Sequence, residues 1–379
     1  MIKLEDLKKD IPASIVVFLV ALPLCLGVAL ASGAPILSGI LSGIIGGIIV
    51  GILSRSHISV SGPAAGLTAL VFAAIHQLGD FQTFLMSVII AGVIQIIGAY
   101  LRAGFIANYI PTNVIKGLLS SIGIVLVLKQ IPHAFGYDGI AEEDFSFLQS
   151  DNENTFSELL NIFNYFSYGA ITVSVLSILI LIYWKKIPFT WLKNIPASLF
   201  VVVFGIFINL FFQHFVPFLV IHEDHFVSIP KIDNINAVFT FPRFSSLANY
   251  NVWTVGISIA MIASLETLLN LEAVANIDPH KRKVSPNREL LAQGYGNLVS
   301  GLIGGIPITS VIVRSSVNIN AGARTKMSTI LHGVFLIISV FLLTPLMNKI
   351  PLASLAAILI LTGFKVLFTT PIKDWVLKI

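Results

Sequence analysis

Two apolar segments, one in each half of the chain, are broken by Ser, Thr, Gly and Pro where a membrane helix should already be running. The first break, at residues 58–66, reads ISVSGPAAG, and the second, at residues 306–314, reads IPITSVIVR. Non-helical backbone at membrane depth is tolerated only where it is buried in protein or lines a cavity, because lipid offers it no hydrogen bonds. Two interrupted helices at corresponding places in two halves therefore predict a substrate site.

The composition places such a chain in a membrane. Hydrophobic residues make up 56% of it and charged residues 11%, whereas soluble domains carry about 25% charged residues. Apolar runs of about 20 residues indicate membrane helices, and with the broken segments at 58–79 and 308–321 they predict about twelve spans. The unbroken runs lie near 12–32, 35–54, 82–101, 111–129, 166–184, 195–214, 250–272, 288–306, 325–347 and 351–368.

The placement of charge predicts the orientation. With a cytoplasmic N-terminus, the basic loops, including the cluster at 281–283, fall on the cytoplasmic side, and the acidic stretch from Asp138 to Glu158 falls outside. This asymmetry follows the positive-inside rule and predicts a multi-pass protein of the inner (plasma) membrane. The basic residues are spread over short loops, so no nucleic-acid partner is expected.

Both breaks predict helix starts that favour an anion. Pro63 suits the first turn of a helix with Ser61 or Gly62 as its cap, and Thr309 and Ser310 can cap the second helix. A helix start presents free N–H groups and roughly half a positive charge. Two facing starts therefore predict a binding site for a small anion.

Arg314 lies about one turn into the second broken helix, inside an apolar run. An ionisable side chain in the membrane is a functional candidate because placing it in lipid is costly, and a guanidinium can complement an oxyanion without releasing a proton. Two alternatives stay open: a structural ion pair with a carboxylate such as Glu266, and a side chain that reaches the membrane interface.

Glu266 lies well inside an apolar helix, and Asn270 shares its face at i, i+4. Both can bind a hard cation through oxygen, and Glu also suits proton coupling, so we expect Na+ or H+ as the coupling ion and no cofactor. A purely structural pairing of Glu266 with Arg314 is the alternative. No Ser/His/Asp arrangement, metal-ligand spacing or phosphate loop appears in the sequence, so an enzyme is not expected.

The run from Pro307 to Thr325, PITSVIVRSSVNINAGART, resembles the signature of the SulP anion transporters, the sulfate permease and bicarbonate transporter family. QGYGN at 293–297 and SVSGP at 59–63 match the same family, and the resemblance covers essentially the whole chain. It implies an all-α polytopic membrane protein with an inverted-repeat fold of the seven-plus-seven type. Two broken half-helices would meet at the membrane midplane, within a core domain that faces a gate domain.

By this resemblance, Ser61 lies at the substrate position of the third helix, and the backbone amides of Ser310, Val311 and Ile312 face it in the tenth. Glu266 and Asn270 stand where sodium-coupled bicarbonate members carry an Asp and a Thr. The resulting substrate-binding set is Ser61, Gly62, Pro63, Thr309, Ser310, Val311, Ile312 and Arg314, and the coupling-ion set is Glu266 and Asn270.

About twelve spans are predicted, so the last two gate helices and the cytoplasmic STAS domain of many members are expected to be missing from this sequence, either because it is a fragment of a longer protein or because the gate is built differently. We expect first-repeat core helices at 1–104, first-repeat gate helices with extracellular loops at 105–249, second-repeat core helices at 250–348 and a partial second gate at 349–379.

These observations predict a secondary active transporter of small inorganic oxyanions, bicarbonate or sulfate, that works by movement of core against gate. Its expected partners are the anion and the lipid bilayer, and the sequence leaves a homodimer open. A nucleobase transporter of the same broken-helix plan and an uncoupled anion channel are the alternatives.

Overall fold

Helices make up most of the described structure, a computed structural model that covers residues 4–105, 130–137, 166–186, 196–227, 238–282 and 284–368, with positions 120, 124, 127 and 128. Contacts divide the chain into two compact units. Unit 1 comprises Met1–Pro111 and Lys231–Leu342, and unit 2 comprises Thr112–Pro230 and Leu343–Ile379. Whether unit 1 acts as the core and unit 2 as the gate stays a prediction.

The labelled elements of unit 1 are two short strands and the helices around them; unit 2 contributes α5, α6, α11 and α12. In chain order they are α1 (Leu4–Ala31), α2 (Ile36–Ile45), β1 (Ser61–Pro63), α3 (Thr68–Leu78), α4 (Phe81–Tyr100), α5 (Tyr168–Tyr183), α6 (Ala197–Phe215), α7 (Tyr250–Ile277), α8 (Pro286–Ile303), β2 (Ile308–Ser310), α9 (Ile312–Asn320), α10 (Met327–Leu342), α11 (Thr344–Met347) and α12 (Leu352–Phe368).

Local chemistry sets the ends of the helices that frame the strands. The Asp80 carboxylate accepts a hydrogen bond of 2.7 Å from the N–H of Thr83 and so caps the start of α4. Pro286 opens α8, where its missing N–H leaves no intrahelical bond unmade. Gly304 ends α8 with a φ of 98°, a left-handed conformation that glycine adopts without strain.

Both predicted breaks are present. β1 and β2 pair as an antiparallel ribbon in which Ser61 lies opposite Ser310, Gly62 opposite Thr309 and Pro63 opposite Ile308. Each strand is followed by a short helical segment, α3 by way of a 3-10 turn at 65–67, and α9 directly after Val311. The ribbon satisfies non-helical backbone groups by pairing the two halves of the chain with each other.

The predicted capping of the two half-helices is wrong. Pro63 lies in β1 and not in the first turn of a helix, so neither Ser61 nor Gly62 caps one. Thr309 and Ser310 lie in β2, and the residue before α9 makes no side-chain capping hydrogen bond. The reason is that the breaks are longer than the sequence suggested: these residues pair as strands, and the helices begin only after them, at Thr68 and Ile312.

Five helices in the described ranges are at least 18 residues long and apolar enough to cross a membrane: Glu5–Ala31, Ile36–Leu53, Phe81–Tyr100, Ala197–Phe215 and Tyr250–Ala275. The predicted single span at 325–347 is wrong, because α10 ends at Leu342 and α11 begins anew with Pro345 in its first turn. A proline inside a continuous helix would remove a backbone hydrogen bond and clash with the preceding turn. Most of the predicted span at 111–129 lies outside the described residues.

Candidate functional site

The β1–β2 ribbon brings together the residues predicted to bind the substrate, all within unit 1. Ser61 is 2% exposed, and Thr309 and Ser310 are fully buried. The Ser61 Oγ accepts a hydrogen bond of 2.7 Å from the Gln293 Nε2, so α8 holds this hydroxyl from one side. The Ser310 Oγ lies 2.7 Å from the Ser59 Oγ, just outside the ribbon.

Arg314 is the most unusual side chain at this ribbon. It is 1% exposed, and among the described residues neither its Nε nor its Nη1 has a conventional hydrogen-bond acceptor, although the guanidinium interacts with the buried thiol of Cys25. A Cβ atom at Gly62 would collide with the Arg314 Nη1, so the lack of a side chain there lets the guanidinium lie against β1. A guanidinium cannot shed its charge in a protein, and a buried charge without a partner is strongly destabilising.

The ion pair weighed from the sequence does not form. Among the described residues no carboxylate pairs with Arg314, and the Glu266 Oε2 is buried without a hydrogen-bond partner. The arginine does not reach the surface either, since it is 1% exposed. Arg314 is therefore a buried cation that has no carboxylate partner among the described residues.

α7 brings the two predicted coupling residues to the same ribbon from another side. The Asn270 Nδ2 donates a hydrogen bond of 2.5 Å to the backbone carbonyl of Ser310. Glu266, one turn earlier, lies beside Gly66 in the turn before α3: a Cβ at Gly66 would be 2.9 Å from the Glu266 Oε1. The Glu266 Oε2, which has no hydrogen-bond partner among the described residues, could hold a proton or a hard cation.

Two of the three backbone amides expected to face the substrate already have partners. The Ser310 N–H donates to the Thr267 Oγ1 at 3.4 Å, and the Val311 N–H donates to the carbonyl of Val60 at 2.9 Å. Ile312 is the first residue of α9, where N–H groups have no intrahelical acceptor. The charge at this site therefore comes mainly from Arg314 and less from the helix starts.

Sequence reasoning missed a row of buried polar residues on α8. Glu289, Gln293 and Asn297 are all fully buried. Asn297 holds β2 in place, since its Oδ1 accepts from the Ile308 N–H at 2.6 Å and its Nδ2 donates to the Ile308 carbonyl at 3.1 Å. The signal was available: these three residues recur at i, i+4 and i+8, the spacing that puts polar side chains on one face of a helix.

In the loop that follows α7, Arg282 is held by hydrogen bonds to other parts of the protein. The Arg282 Nε donates to Asp278 at 2.8 Å, and its Nη1 donates to the backbone carbonyl of Arg324 at 2.7 Å. Burial alone would raise the pKa of Asp278, but hydrogen bonds from Arg282 and from the His280 N–H outweigh it and lower the pKa to about 2. Asp278 is therefore ionised at neutral pH and anchors this loop.

Comparison with known proteins gives a consistent picture. The model of the sulfate permease family matches residues 7–375. A putative sulfate transporter of Bacillus subtilis, YvdB, is 26% identical and aligns with 95% of this chain and 65% of its own length. The bicarbonate transporter BicA of Picosynechococcus sp. is 26% identical over 99% of this chain and 63% of its own length. The chain thus spans less than two thirds of either relative.

Solved structures share the fold. The transmembrane domain of a cyanobacterial bicarbonate transporter, BicA, superposes with a TM-score of 0.81 at 24% identity, over 97% of this chain and 90% of that one. SLC26A9 gives a TM-score of 0.80 at 15% identity, over 100% of this chain and 60% of that one. These likenesses confirm the predicted fold class, an all-α polytopic inverted-repeat transporter fold with two broken half-helices.

Proposed function

The chain belongs to the sulfate permease family, and from that premise we propose that it is a secondary active transporter of small inorganic oxyanions. The names of its relatives favour sulfate and bicarbonate as substrates. The proposed protein is a multi-pass membrane protein of the inner membrane with a cytoplasmic N-terminus, in which unit 1 acts as the core that carries the anion and unit 2 as the gate.

The observation that carries the proposal is the unpaired Arg314 at the ribbon. In the part of the chain that the structure describes, its buried Nε and Nη1 have no conventional hydrogen-bond acceptor, and an oxyanion can accept from two guanidinium N–H groups at once. The anion would lie beside the guanidinium, on the face of β1 that Gly62 presents, where it would neutralise the buried charge. A neutral nucleobase would leave that charge unbalanced, which disfavours the nucleobase alternative.

Coupling is assigned to Glu266 and Asn270. The Glu266 Oε2 has no hydrogen-bond partner, and the carboxylate lies beside the turn that leads into α3. Asn270 ties the same helix to the Ser310 carbonyl. A Na+ ion or a proton on Glu266 would therefore lie on the same helix as Asn270, which holds β2, so α7 would link the driving ion to the anion site.

Uptake of labelled sulfate and labelled bicarbonate into proteoliposomes tests the proposal. The full-length protein is reconstituted, and each anion is offered with a sodium gradient, with a proton gradient and with neither. Saturable uptake that shows counterflow and rises with one gradient is the expected result. Arg314→Met should abolish it, whereas Arg243→Met serves as the control because Arg243 pairs with Asp80 near the start of α4. A flux that neither saturates nor shows counterflow would indicate a channel.

A further inference from the structure

Unit 2 contains a cavity of about 450 Å³ that is separate from the proposed anion site in unit 1. One wall is the C-terminal half of α6, and the others are residues 226–227 and the segment that follows α11. The Val227 N–H donates to the Ile350 carbonyl at 3.0 Å, and Phe226 forms an antiparallel bridge with Pro351, so these two segments are held together. Ligand pockets have volumes of roughly 300–1,000 Å³, so the cavity can hold a small ligand or the headgroup of a large one.

The polar side chains that line the cavity offer hydrogen-bond donors. Lys349 carries an ammonium group, which can only donate, and it makes no ion pair among the described residues. Asn209 uses its Oδ1 to accept from the Ile221 N–H at 3.1 Å, so its NH2 group is the part left to bind a ligand. Gln213 and Asn348 add two more carboxamides. No acidic side chain lines the cavity in the described ranges, so its polar end suits an anionic group with several oxygen atoms.

The apolar wall of the cavity continues onto the exposed face of α6. Ile206, Leu210 and Phe226 line the cavity. Leu210 is 40% exposed, and its neighbours Phe207 and Phe211 are 66% and 50% exposed. α6 is long and apolar enough to cross a membrane and most of it is not buried within the protein, so in a membrane these side chains contact acyl chains. A ligand with a charged head and an apolar tail fits both parts, whereas a free inorganic anion would use only the polar end.

We propose that this cavity binds the headgroup of an anionic phospholipid, with the phosphate beside Lys349 and an acyl chain along α6 at Leu210. With the N-terminus in the cytoplasm, the C-terminal end of α6 lies at the outer face, so the lipid belongs to the outer leaflet. The lining selects the headgroup, because the cation of phosphatidylcholine finds no carboxylate there. The hydroxyls of phosphatidylglycerol can instead donate to carboxamide oxygens such as that of Gln213. The site does not depend on which anion the protein transports.

Lipid binding to the purified full-length protein tests the proposal. The protein is delipidated in detergent and titrated with phosphatidylglycerol and with phosphatidylcholine of the same acyl chains, and native mass spectrometry counts the bound lipid. We expect phosphatidylglycerol to bind about tenfold more tightly, since its net charge is left to Lys349 alone. Equal affinity for the two lipids would contradict the proposed headgroup. Inorganic phosphate is added as a competitor, and displacement of phosphatidylglycerol at comparable concentration would identify a site for free anions and overturn the lipid proposal.

Two variants test the charged end and the apolar wall separately, and both change exposed side chains. Lys349→Met removes the ammonium group and should weaken phosphatidylglycerol binding about tenfold, the worth of one hydrogen bond to a charged group. Its control is Lys186→Met, since Lys186 is an exposed lysine of unit 2 outside the cavity. Leu210→Trp fills the cavity from the exposed side of α6 and should abolish the preference for phosphatidylglycerol. Phe207→Trp, on the same exposed face but outside the cavity, should leave it unchanged.

The outcomes separate a built site from general attraction between charges. Losses of phosphatidylglycerol binding in Lys349→Met and Leu210→Trp, with both controls at wild-type affinity, support the site. Equal losses in Lys349→Met and Lys186→Met would overturn it. If a second copy of the chain covers this face instead, Leu210→Trp should dissociate a dimer and leave lipid selectivity intact, which also contradicts the proposal. Anion uptake is not the readout, so the result stands whether or not the proposed transport function holds.

Discussion

Replacing Arg314 with Met should stabilise the anion-free protein and weaken anion binding at the same time. Met keeps the apolar stem of the side chain and removes the buried charge. Among the described residues the Nε and Nη1 donors have no conventional acceptor, so we expect them to destabilise the anion-free protein, and under the proposed function an anion would relieve that cost. The stability of the anion-free protein should rise and the affinity for the anion should fall, because the same guanidinium lowers the first and contributes to the second.

The magnitude follows from the two free donors. A buried unsatisfied donor costs about 1–3 kcal/mol, so the anion-free Arg314→Met protein should gain about 2 kcal/mol or more in free energy of unfolding. For a domain of some 200 residues, such a gain raises the unfolding midpoint by roughly 4 °C or more. Binding should weaken by about 10- to 100-fold, since hydrogen bonds to charged groups contribute about 1.5–3 kcal/mol each.

Thermal unfolding in detergent, with and without sulfate or bicarbonate, measures both effects. At an anion concentration about one hundred times the Kd, the wild type should gain about 2.7 kcal/mol from the ligand. A variant that binds about 100-fold more weakly should gain only about 0.4 kcal/mol at that concentration. Arg243→Met is the control, because it removes an arginine that pairs with Asp80 and is half exposed.

Two results would refute this reasoning. If Arg314→Met were less stable than the wild type without anion, Arg314 would have a structural partner in the protein. If the anion stabilised the variant as much as the wild type, the anion site would lie elsewhere.

The site and its surroundings give three further predictions. Ser61→Trp should abolish sulfate or bicarbonate binding if Ser61 belongs to the anion site, because the indole would displace the residues around the ribbon, and normal affinity in a folded variant would contradict that assignment. Glu266→Gln should uncouple uptake from the sodium or proton gradient while anion exchange persists, and gradient-driven uptake at wild-type stoichiometry would exclude the coupling role. Asp278→Asn should cost about 2 kcal/mol at pH 7, because the pKa of Asp278 is lowered from 3.8 to about 2. That contribution is present above about pH 4 and is lost as the pH falls toward about 2, so denaturation curves of the variant and the wild type should converge in acid.

The breaks in the two apolar segments were predictable because their cause is local. Ser, Gly and Pro in an apolar run cannot continue a helix without leaving backbone groups unpaired, and the structure confirms both interruptions. The absence of the two predicted helix caps could not be foreseen, because the capping residues instead form a ribbon between segments that are far apart in sequence. Nothing in the residues around Pro63 indicates that Ile308 lies opposite.

For the candidate site, too, local features could be predicted from the sequence and contacts between distant segments could not. The burial of Arg314 could be predicted from its apolar run, but its distance from Glu266 depends on how α7 and α9 pack. The row of Glu289, Gln293 and Asn297 could have been found from its helical spacing, whereas the contact of Gln293 with Ser61 could not. Contacts between residues one helix turn apart can be predicted from their spacing in the sequence. Contacts between helices depend on how the helices pack in the folded protein.

A structure determined with the transported anion bound tests the central claim most directly, with selenate in place of sulfate so that its anomalous signal marks the site. We predict the anion beside Gly62, within hydrogen-bond distance of the Arg314 Nε or Nη1. An anion bound at saturating concentration away from the β1–β2 ribbon, with the Arg314 donors still unpaired, would contradict the account.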